Sequence, residues 1–393
     1  MVDVQTWLGI GFVLVMSVIL YLNRSKLEIQ KIFGPFLYFA MLKTTWGISL
    51  MDWLGNKFRW LTKAFGSVSV VLGFAGMLLI TYMLIKSTLM LFISPDAAPG
   101  IQPVLPFEAK GVFFVPFIYW IVSIFVIAVI HEFAHGVVAR SYNINVKSSG
   151  FAFLGALVPI IPAAFVEPDE KDMAKRSSWQ QLSVFSAGPG ANVIMAIAMV
   201  FLLGIPLPFL PEGFTQKTAI VDINELGTNL ITFSGLTLNK IDAGSPAETA
   251  GLRIGQTITG VNGVPLSDRD NILTTITGLK PGETASLEFG DSTKTLVLGA
   301  HPQDPERGYI GIGFDTETAY DQNAIARYGT AGVAILYFLV SLAIWIFILS
   351  LGIGLFNLVP LGPIDGGRML KLILEKITDD AHGIRIWKGV SVA

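Results

Sequence analysis

Residues 112–139 read VFFVPFIYWIVSIFVIAVIHEFAHGVVA, an apolar run that carries two histidines and a glutamate near its end. A stretch of about 20 predominantly apolar residues is long enough to form a helix that crosses a bilayer. Histidines at positions i and i+4 lie on one face of a helix, so His131 and His135 can bind the same tetrahedral ion. Glu132 can instead reach a water molecule bound to that ion and act on it as a general base. The run therefore predicts a metal site inside a membrane helix.

The rest of the chain has the composition of a membrane protein. Of its 393 residues, 52% are hydrophobic and 14% are charged, whereas soluble domains carry about 25% charged residues. The net charge of -2 gives no reason to expect nucleic acid as a partner. Cysteine is absent, which excludes disulfides, thiolate metal sites and cysteine nucleophiles. A metal would therefore be held by histidine and carboxylate.

Apolar stretches predict a polytopic α-helical membrane protein with about five transmembrane helices. They are Val4–Leu22, Ser67–Ile93, Val112–Ala139, Leu182–Leu203 and Ala331–Leu358. The first has no basic residue before it and no small-residue cleavage motif, so we expect a retained helix rather than a signal peptide. A shorter run, Gly150–Val166, is interrupted by Gly155, Pro159 and Pro162. It fits a re-entrant segment, because non-helical backbone is tolerated at membrane depth where protein or a wet cavity covers it.

Basic residues predict the orientation. The segment between the first two spans contains seven lysines and arginines against only Glu28 and Asp52. The positive-inside rule places this segment in the cytoplasm. Basic residues also follow the HEFAH helix, precede the fourth span and follow the fifth, so one orientation accounts for every cluster. His131 lies nine residues before Arg140, which puts the metal about 14 Å from the cytoplasmic interface at helical rise.

Residues 212–328 change character and predict a water-soluble α+β domain on the outer side. Short strand-like runs alternate there with turn signals. Thr257–Val261 is followed by Asn262-Gly263, a strong two-residue hairpin turn. Ser245 can cap a helix that has Pro246 at its first position. The predicted division is 1–66 (N-terminal helix and basic cytoplasmic segment), 67–205 (membrane core), 212–328 (outer domain) and 331–393 (last span and its exit).

Asp365 is the candidate third metal ligand, since a catalytic zinc usually has three protein ligands and one open position. It lies in residues 356–368, FNLVPLGPIDGGR. Pro360 and Pro363 end the last span, and Gly366-Gly367 permits tight backbone geometry around the carboxylate. The alternative is an ordinary helix-capping aspartate at a membrane exit.

HEFAH on a membrane helix, NLVP running into IDGG, and an inserted outer domain together resemble the site-2 protease family of intramembrane metalloproteases. The resemblance covers about residues 112 to 376. It implies a multi-pass protein of the cell membrane that cuts membrane-anchored proteins within or near their transmembrane segments, as a later step of regulated intramembrane proteolysis. The residues that match the family's site are Glu132 as catalytic base and His131, His135 and Asp365 as ligands of Zn2+.

Residues 186–192, SAGPGAN, look like a further motif of that family. The amide of Asn192 could donate to a developing oxyanion or hold the substrate backbone, or it could bond between helices while the glycines allow close packing. Pro189 and Gly155 are the other candidate substrate-contacting positions. The family's re-entrant hairpin would correspond to Gly150–Val166. An extended strand from that segment could pair with an unwound stretch of substrate and hold it straight.

Residues 236–289 contain SPAETAGL and IGQTITGVNG and look like a circularly permuted PDZ domain. PDZ domains bind an extended peptide at a sheet edge, so a peptide C-terminus is a candidate partner; the domain could equally exclude bulky substrates. Ile310–Phe314 reads as a binding loop or as a plain strand, and we favour the plain strand. The alternative to an enzyme is a catalytically silent PDZ membrane scaffold, which has no need for buried ionisable groups.

Overall fold

A computed structural model of the chain describes residues 4–33, 37–93, 102–107, 109, 111–156, 158–206, 214–219, 230–265, 278–290, 292–301, 304–378 and 380–392. The chain forms two compact units. One consists of Met1–Ile220 with Ser341–Ala393, and the other of Val221–Val340. Residue 212, the predicted start of the outer domain, lies outside the described residues, as do residues 266–277 of the PDZ-like stretch.

Long apolar helices dominate the described part of the chain. In chain order the helices are α1 (Val4–Leu22), α2 (Ile48–Lys57), α3 (Arg59–Ile93), α4 (Phe117–Ser141), α5 (Glu170–Ala174), α6 (Ser178–Leu203), α7 (Phe214–Thr218), α8 (Pro246–Thr249), α9 (Gln322–Phe356), α10 (Asp365–Ile377) and α11 (Asp380–Val392). By length and composition, α3, α4, α6 and α9 could each cross a membrane. Helix α1 is apolar over Trp7–Leu22 and is shorter than those four. Four of the five predicted spans therefore coincide with helices that could cross a membrane.

Local signals set the ends of the two helices that carry the predicted site. Helix α4 begins five residues later than the apolar run because Pro116 occupies its N-cap. It ends before Asn143, whose φ of 56° is left-handed. Helix α6 begins after Ser177, whose hydroxyl accepts a hydrogen bond from the Gln180 amide, and ends at Gly204 with a φ of 65°.

The predicted re-entrant run forms a β-hairpin. The strands of the first unit are β1 (Leu27–Phe33), β2 (Leu37–Thr44), β3 (Val104–Leu105), β4 (Phe113–Phe114), β5 (Val146–Ala156) and β6 (Val158–Pro168). Strands β1, β2, β5 and β6 form one antiparallel sheet in that order. Strands β1 and β2 were not predicted. Leu27 and Ile29 alternate with Glu28 and Gln30, and this alternation is the signal that could have identified β1.

Helix α6 packs on both α3 and α4 through small residues. A Cβ at Gly190 would lie 2.7 Å from the Cβ of Ser69, and one at Gly66 would lie 3.0 Å from the Cβ of Ser183. Such positions let helix backbones approach closely. Val138 and Ala187 are fully buried in the cluster shared by α4 and α6. The middle of α6 consequently packs against the part of α4 that contains His131 and His135.

The second unit is built of short strands around its own apolar core. They are β7 (Ile231–Ile241), β8 (Thr257–Ile258), β9 (Gly260–Val261), β10 (Val264–Pro265), β11 (Thr284–Phe289), β12 (Ser292–Val297), β13 (Gly299–His301), β14 (Asp304–Tyr309) and β15 (Ile312–Tyr320). The sheets run β10-β9-β11-β12, β15-β7-β8 and β13-β14. The core includes Leu236, Ile258 and Leu287.

Two local predictions in this unit are confirmed. Asn262 and Gly263 both have positive φ, 54° and 79°, and they join β9 to β10 as an antiparallel hairpin. Ser245 caps α8, since its hydroxyl accepts a hydrogen bond from the Glu248 amide at 3.2 Å. Ile310–Phe314 runs into β15, which lies at one end of its sheet.

Candidate metal centre

The three predicted metal ligands meet at one point. The Nε2 atoms of His131 and His135 lie 3.0 and 3.4 Å from Oδ2 of Asp365. One ligand atom from each of the three residues lies within 4.8 Å of the others, and all three residues are buried. Residues 234 positions apart in the sequence thus present two nitrogens and one oxygen to a common space.

The loop before α10 directs Asp365 towards the histidines. The Gly366 amide donates to the Asn357 carbonyl at 2.7 Å, which folds the loop back on the end of α9. A Cβ at Gly366 would lie 2.6 Å from the Val359 carbonyl oxygen, so this close turn requires glycine, as the sequence predicts. Asp365 is the first residue of α10, whose N-cap is Ile364. Its carboxylate faces the two histidines, which is not the position of a helix-capping aspartate.

A backbone carbonyl fixes the ring of His135. Its Nδ1 lies 2.6 Å from the Val184 oxygen on α6. Because a carbonyl can only accept, Nδ1 carries the proton and Nε2 keeps a lone pair for a metal. Nδ1 of His131 is buried and has no hydrogen-bond partner among the described residues. The two histidines therefore differ in how firmly their tautomers are set.

Gly188 forms the wall of the site on the α6 side. A Cβ at this position would lie 2.6 Å from Cδ2 of His131 and closer still to Nε2 of both histidines. Any larger residue would occupy the space in which the ligand atoms converge. Gly188 belongs to the SAGPGAN motif, but no role was predicted for it. It lies one helical turn after Val184, whose carbonyl holds His135, and the sequence alone does not indicate this contact.

Glu132 lies beside the ligands and is tied to strand β6. Its Oε2 accepts a hydrogen bond from the Val166 amide at 3.1 Å. Both residues line a cavity of about 950 Å³ that also contains the three candidate ligands and Asn357. The structure therefore brings a carboxylate, a ligand set and part of strand β6 into one chamber. Asn357 is the second residue of the site for which no role was predicted.

The other candidate residues do not line this cavity. Asn192 is fully buried, and its side-chain amide has no hydrogen-bond partner in the described part of the chain. Its carbonyl accepts from the Ser350 hydroxyl at 2.9 Å. Pro189 is inside α6 next to Gly188. Gly155 lies in β5 under the Tyr38 ring, where a Cβ would be 2.6 Å from Cζ. Asn192, Pro189 and Gly155 are not among the residues that line the cavity.

The donor set fits a catalytic zinc ion. Two imidazole nitrogens and one carboxylate oxygen are ligands that zinc prefers, and three protein ligands leave a position open for chemistry. Gly188 leaves the space that an ion between the two rings needs, and the Val184 carbonyl orients one of the rings.

Several known proteins are similar to this chain. Residues 119–392 match Peptidase family M50. The chain is 25% identical to an uncharacterized protein of Methanocaldococcus jannaschii, over 90% of this chain and 81% of that protein. It is 31% identical to the zinc metalloprotease Rip1 of Mycobacterium tuberculosis, over 32% of this chain and 30% of that protein. It is 26% identical to the zinc metalloprotease RasP of Shouchella clausii, over 55% of each chain.

Proposed function

Because the chain belongs to Peptidase family M50, the site-2 proteases, we propose that it cuts membrane-anchored proteins within or near their transmembrane segments. The chain is a zinc metalloprotease and an integral membrane protein. The observation that carries the proposal is the meeting of His131, His135 and Asp365 beside Glu132. Both histidines and Glu132 belong to α4, which is long and apolar enough to cross a membrane.

Each residue of the centre has a distinct part in the proposed reaction. His131, His135 and Asp365 hold the zinc ion. When bound, zinc polarises the scissile carbonyl and lowers the pKa of water to about 7. Glu132 accepts the proton of the attacking water and delivers it to the departing amine. The hydrogen bond from the Val166 amide keeps the Glu132 carboxylate oriented in the cavity while no substrate is present.

Strand β6 is the proposed guide for the substrate. It ends the sheet order β1-β2-β5-β6, so its outer edge has no strand partner among the described residues. The Val166 amide points away from β5, since it donates to Glu132. Backbone groups alternate along a strand with a period of two, so the N–H and C=O of Ala164 point the same way. An unwound substrate could pair there as a further strand.

Ser149 and Pro162 support the conclusion that the backbone groups of Ala164 and Val166 point away from β5. Ser149 is the partner of Val166 across the hairpin, and its carbonyl accepts from the Thr44 hydroxyl of β2 at 3.1 Å. The backbone N–H and C=O of Ser149 therefore point towards β2 rather than towards β6. Pro162 has no N–H and stands two residues before Ala164, at a position where a missing donor faces the open edge. Between Pro162 and Val166, the Ala164 amide is the donor left for a substrate.

Replacing Ala164 by proline tests the guide strand. Ala164→Pro removes the outward N–H, while Pro162 indicates that this edge accepts a proline. We expect cleavage to fall about tenfold, from the loss of a hydrogen bond worth ~1 kcal/mol and from the ring that blocks the approach. Zinc content should stay at the wild-type level. Ala164→Ser keeps the N–H and is the matched control. Wild-type cleavage by Ala164→Pro would show that substrates do not pair with this edge.

The proposed topology has α1 as a fifth span and the zinc site nearer the cytoplasmic face. It rests on the basic residues that flank α3, α4 and α6 on one side. The second unit then lies outside the cytoplasm, and the division of the chain follows the predicted segments.

We propose that this unit is PDZ-like and receives a peptide end at β15, the end strand of its sheet. Cleavage would follow an earlier cut that removes the substrate's outer part.

Glu132→Gln is the decisive variant for the proposed function. Wild type and variant are compared on a single-span membrane substrate in proteoliposomes, and zinc is measured in both. Glutamine keeps the size of the side chain but cannot accept the proton, so cleavage should fall by at least 10²-fold with zinc retained. Equal cleavage by the two proteins would overturn the assignment of the base.

A further inference from the structure

Helix α2 has an exposed apolar face that no described element covers. Leu50 and Trp53 are 51% and 49% exposed, and Trp46, just before the helix, is 70% exposed. Leu50 and Trp53 are three residues apart and lie on one side of α2, while Trp46 lies in the turn before the helix. Helix α2 is followed directly by α3, with Phe58 between them. Because α3 is a candidate membrane span, α2 lies at one of its ends.

The opposite face of α2 packs on the helix that carries the histidines. Met51 and Gly55 are buried in this contact. A Cβ at Gly136, the residue after His135, would lie 2.5 Å from Sδ of Met51. A Cβ at Gly55 would lie 2.9 Å from the Val137 carbonyl oxygen. Helix α2 therefore cannot shift without loosening the turn of α4 that holds His135.

Exposed tryptophans recur at the same end of the helix bundle. Trp60 opens α3 and is 75% exposed. Trp179 opens α6, is 48% exposed, and donates its indole N–H to the Ser67 hydroxyl of α3 at 3.1 Å. Tryptophans collect at membrane interfaces, where an apolar ring and a polar N–H both find partners. The starts of α3 and α6 and the outer face of α2 thus share one chemical character.

Cations accompany these rings without carboxylate partners. Lys57, Arg59 and Lys63 form no ion pair with any described acidic residue. Lys57 Nζ lies 4.8 Å from the centre of the Trp53 ring. Asp52, the acidic residue of α2, is engaged by Arg140. The surface around α2 is therefore aromatic and positive, which matches the headgroups of anionic phospholipids.

We propose that α2 lies in the headgroup layer, that its outer face binds anionic phospholipids, and that its inner face supports α4 next to His135. The occupant of the face is lipid rather than protein because the face is continuous with a candidate membrane span, bears interfacial tryptophans and carries cations that form no ion pair with a described carboxylate.

A single introduced cysteine can test the depth of α2, because the chain contains none of its own. A nitroxide is attached at Leu50→Cys in the full chain, reconstituted into nanodiscs. We expect it to be more accessible to oxygen than to a water-soluble nickel complex. Asn56 is exposed and lies about 120° from Leu50 around the helix at 3.6 residues per turn, so Asn56→Cys should show the reverse. A label at residue 50 that is open to water, or that is shielded from both probes by a second copy or a substrate helix, would overturn the proposal.

Lipid charge is tested with a fluorophore at the same cysteine. Brominated phosphatidylglycerol should quench it more than brominated phosphatidylcholine at equal mole fraction, with an enrichment on the order of tenfold. The triple variant Lys57→Gln, Arg59→Gln, Lys63→Gln should lose this preference while binding zinc as the wild type does. Equal quenching by the two lipids in the wild type would refute an anionic site. These readouts do not depend on cleavage, so they stand apart from the proposed function.

Discussion

Replacing Gly188 by alanine should weaken zinc binding more than it weakens the fold. The new Cβ would lie 2.6 Å from Cδ2 of His131, whereas ordinary contact begins at 3.4 Å. A histidine ring must therefore move by about 0.8 Å, several times the ~0.2 Å tolerance of metal–ligand distances. Overpacking of this kind costs about 1–3 kcal/mol. If this free-energy cost reduces the free energy of zinc binding by the same amount, zinc affinity drops by roughly 5- to 150-fold.

The assay is competition with a chelator of known zinc affinity, on protein purified in detergent and followed by metal analysis. Gly190→Ala is the matched control, since it strains the same helix two residues away. Its Cβ would lie 2.7 Å from the Cβ of Ser69, on the side of α6 that faces α3. We expect both variants to lose thermal stability, but only Gly188→Ala to release zinc at low chelator concentration.

Zinc binding by Gly188→Ala that is as tight as in the wild type would refute the prediction. The ligand nitrogens would then not converge against α6, and the positions of the His131 and His135 rings would have to be revised. Parallel loss of zinc in both variants would indicate general unfolding of α6 instead of a specific wall at residue 188.

Two further predictions concern single carboxylates. Asp365→Asn should leave the purified protein largely free of zinc by metal analysis, because the anionic ligand that faces both histidines is removed; full zinc occupancy would exclude Asp365 as a ligand. Hydrogen bonds from Lys240 and Tyr309 lower the pKa of the Asp242 carboxyl below its ordinary value, so the stabilisation is present above the unfolded pKa and is lost as pH falls through the folded one. The difference in urea midpoint between wild type and Asp242→Asn should shrink as pH falls from about 5 to about 3, and a difference that grows would contradict the assigned bonds.

Local patterns predicted what depends on neighbouring residues in the chain. The i, i+4 spacing of His131 and His135 places them on one helix face whatever surrounds the helix. The Asn262-Gly263 hairpin needs only the positive φ angles that these residues adopt readily. Hydropathy located four long helices but not their ends, because it does not register the polar residues, such as Arg59 and Ser178, with which two of them begin.

Features that depend on tertiary packing escaped the sequence analysis. Nothing near Gly188 in the chain indicates that two histidine rings about 50 residues earlier lie against it. The hydrogen bond between Glu132 and Val166 likewise joins a helix to a strand. In the sequence, that strand is part of an apolar run interrupted by glycine and proline. Prolines and glycines at residues 155–162 obscured the alternation of β5 and β6. Their pairing with β2 could not be foreseen, because β2 itself was not identified.

The hydrogen bond from Val166 to Glu132 also limits how this sequence can drift over evolutionary time. It ties the residue that takes the proton to a strand whose outward groups recur at every second residue. A one-residue insertion or deletion between Ala164 and Val166 would turn the Ala164 amide towards β5 while Val166 still faced the glutamate. We therefore expect related chains to tolerate length changes in other parts of the sheet but to keep this two-residue interval.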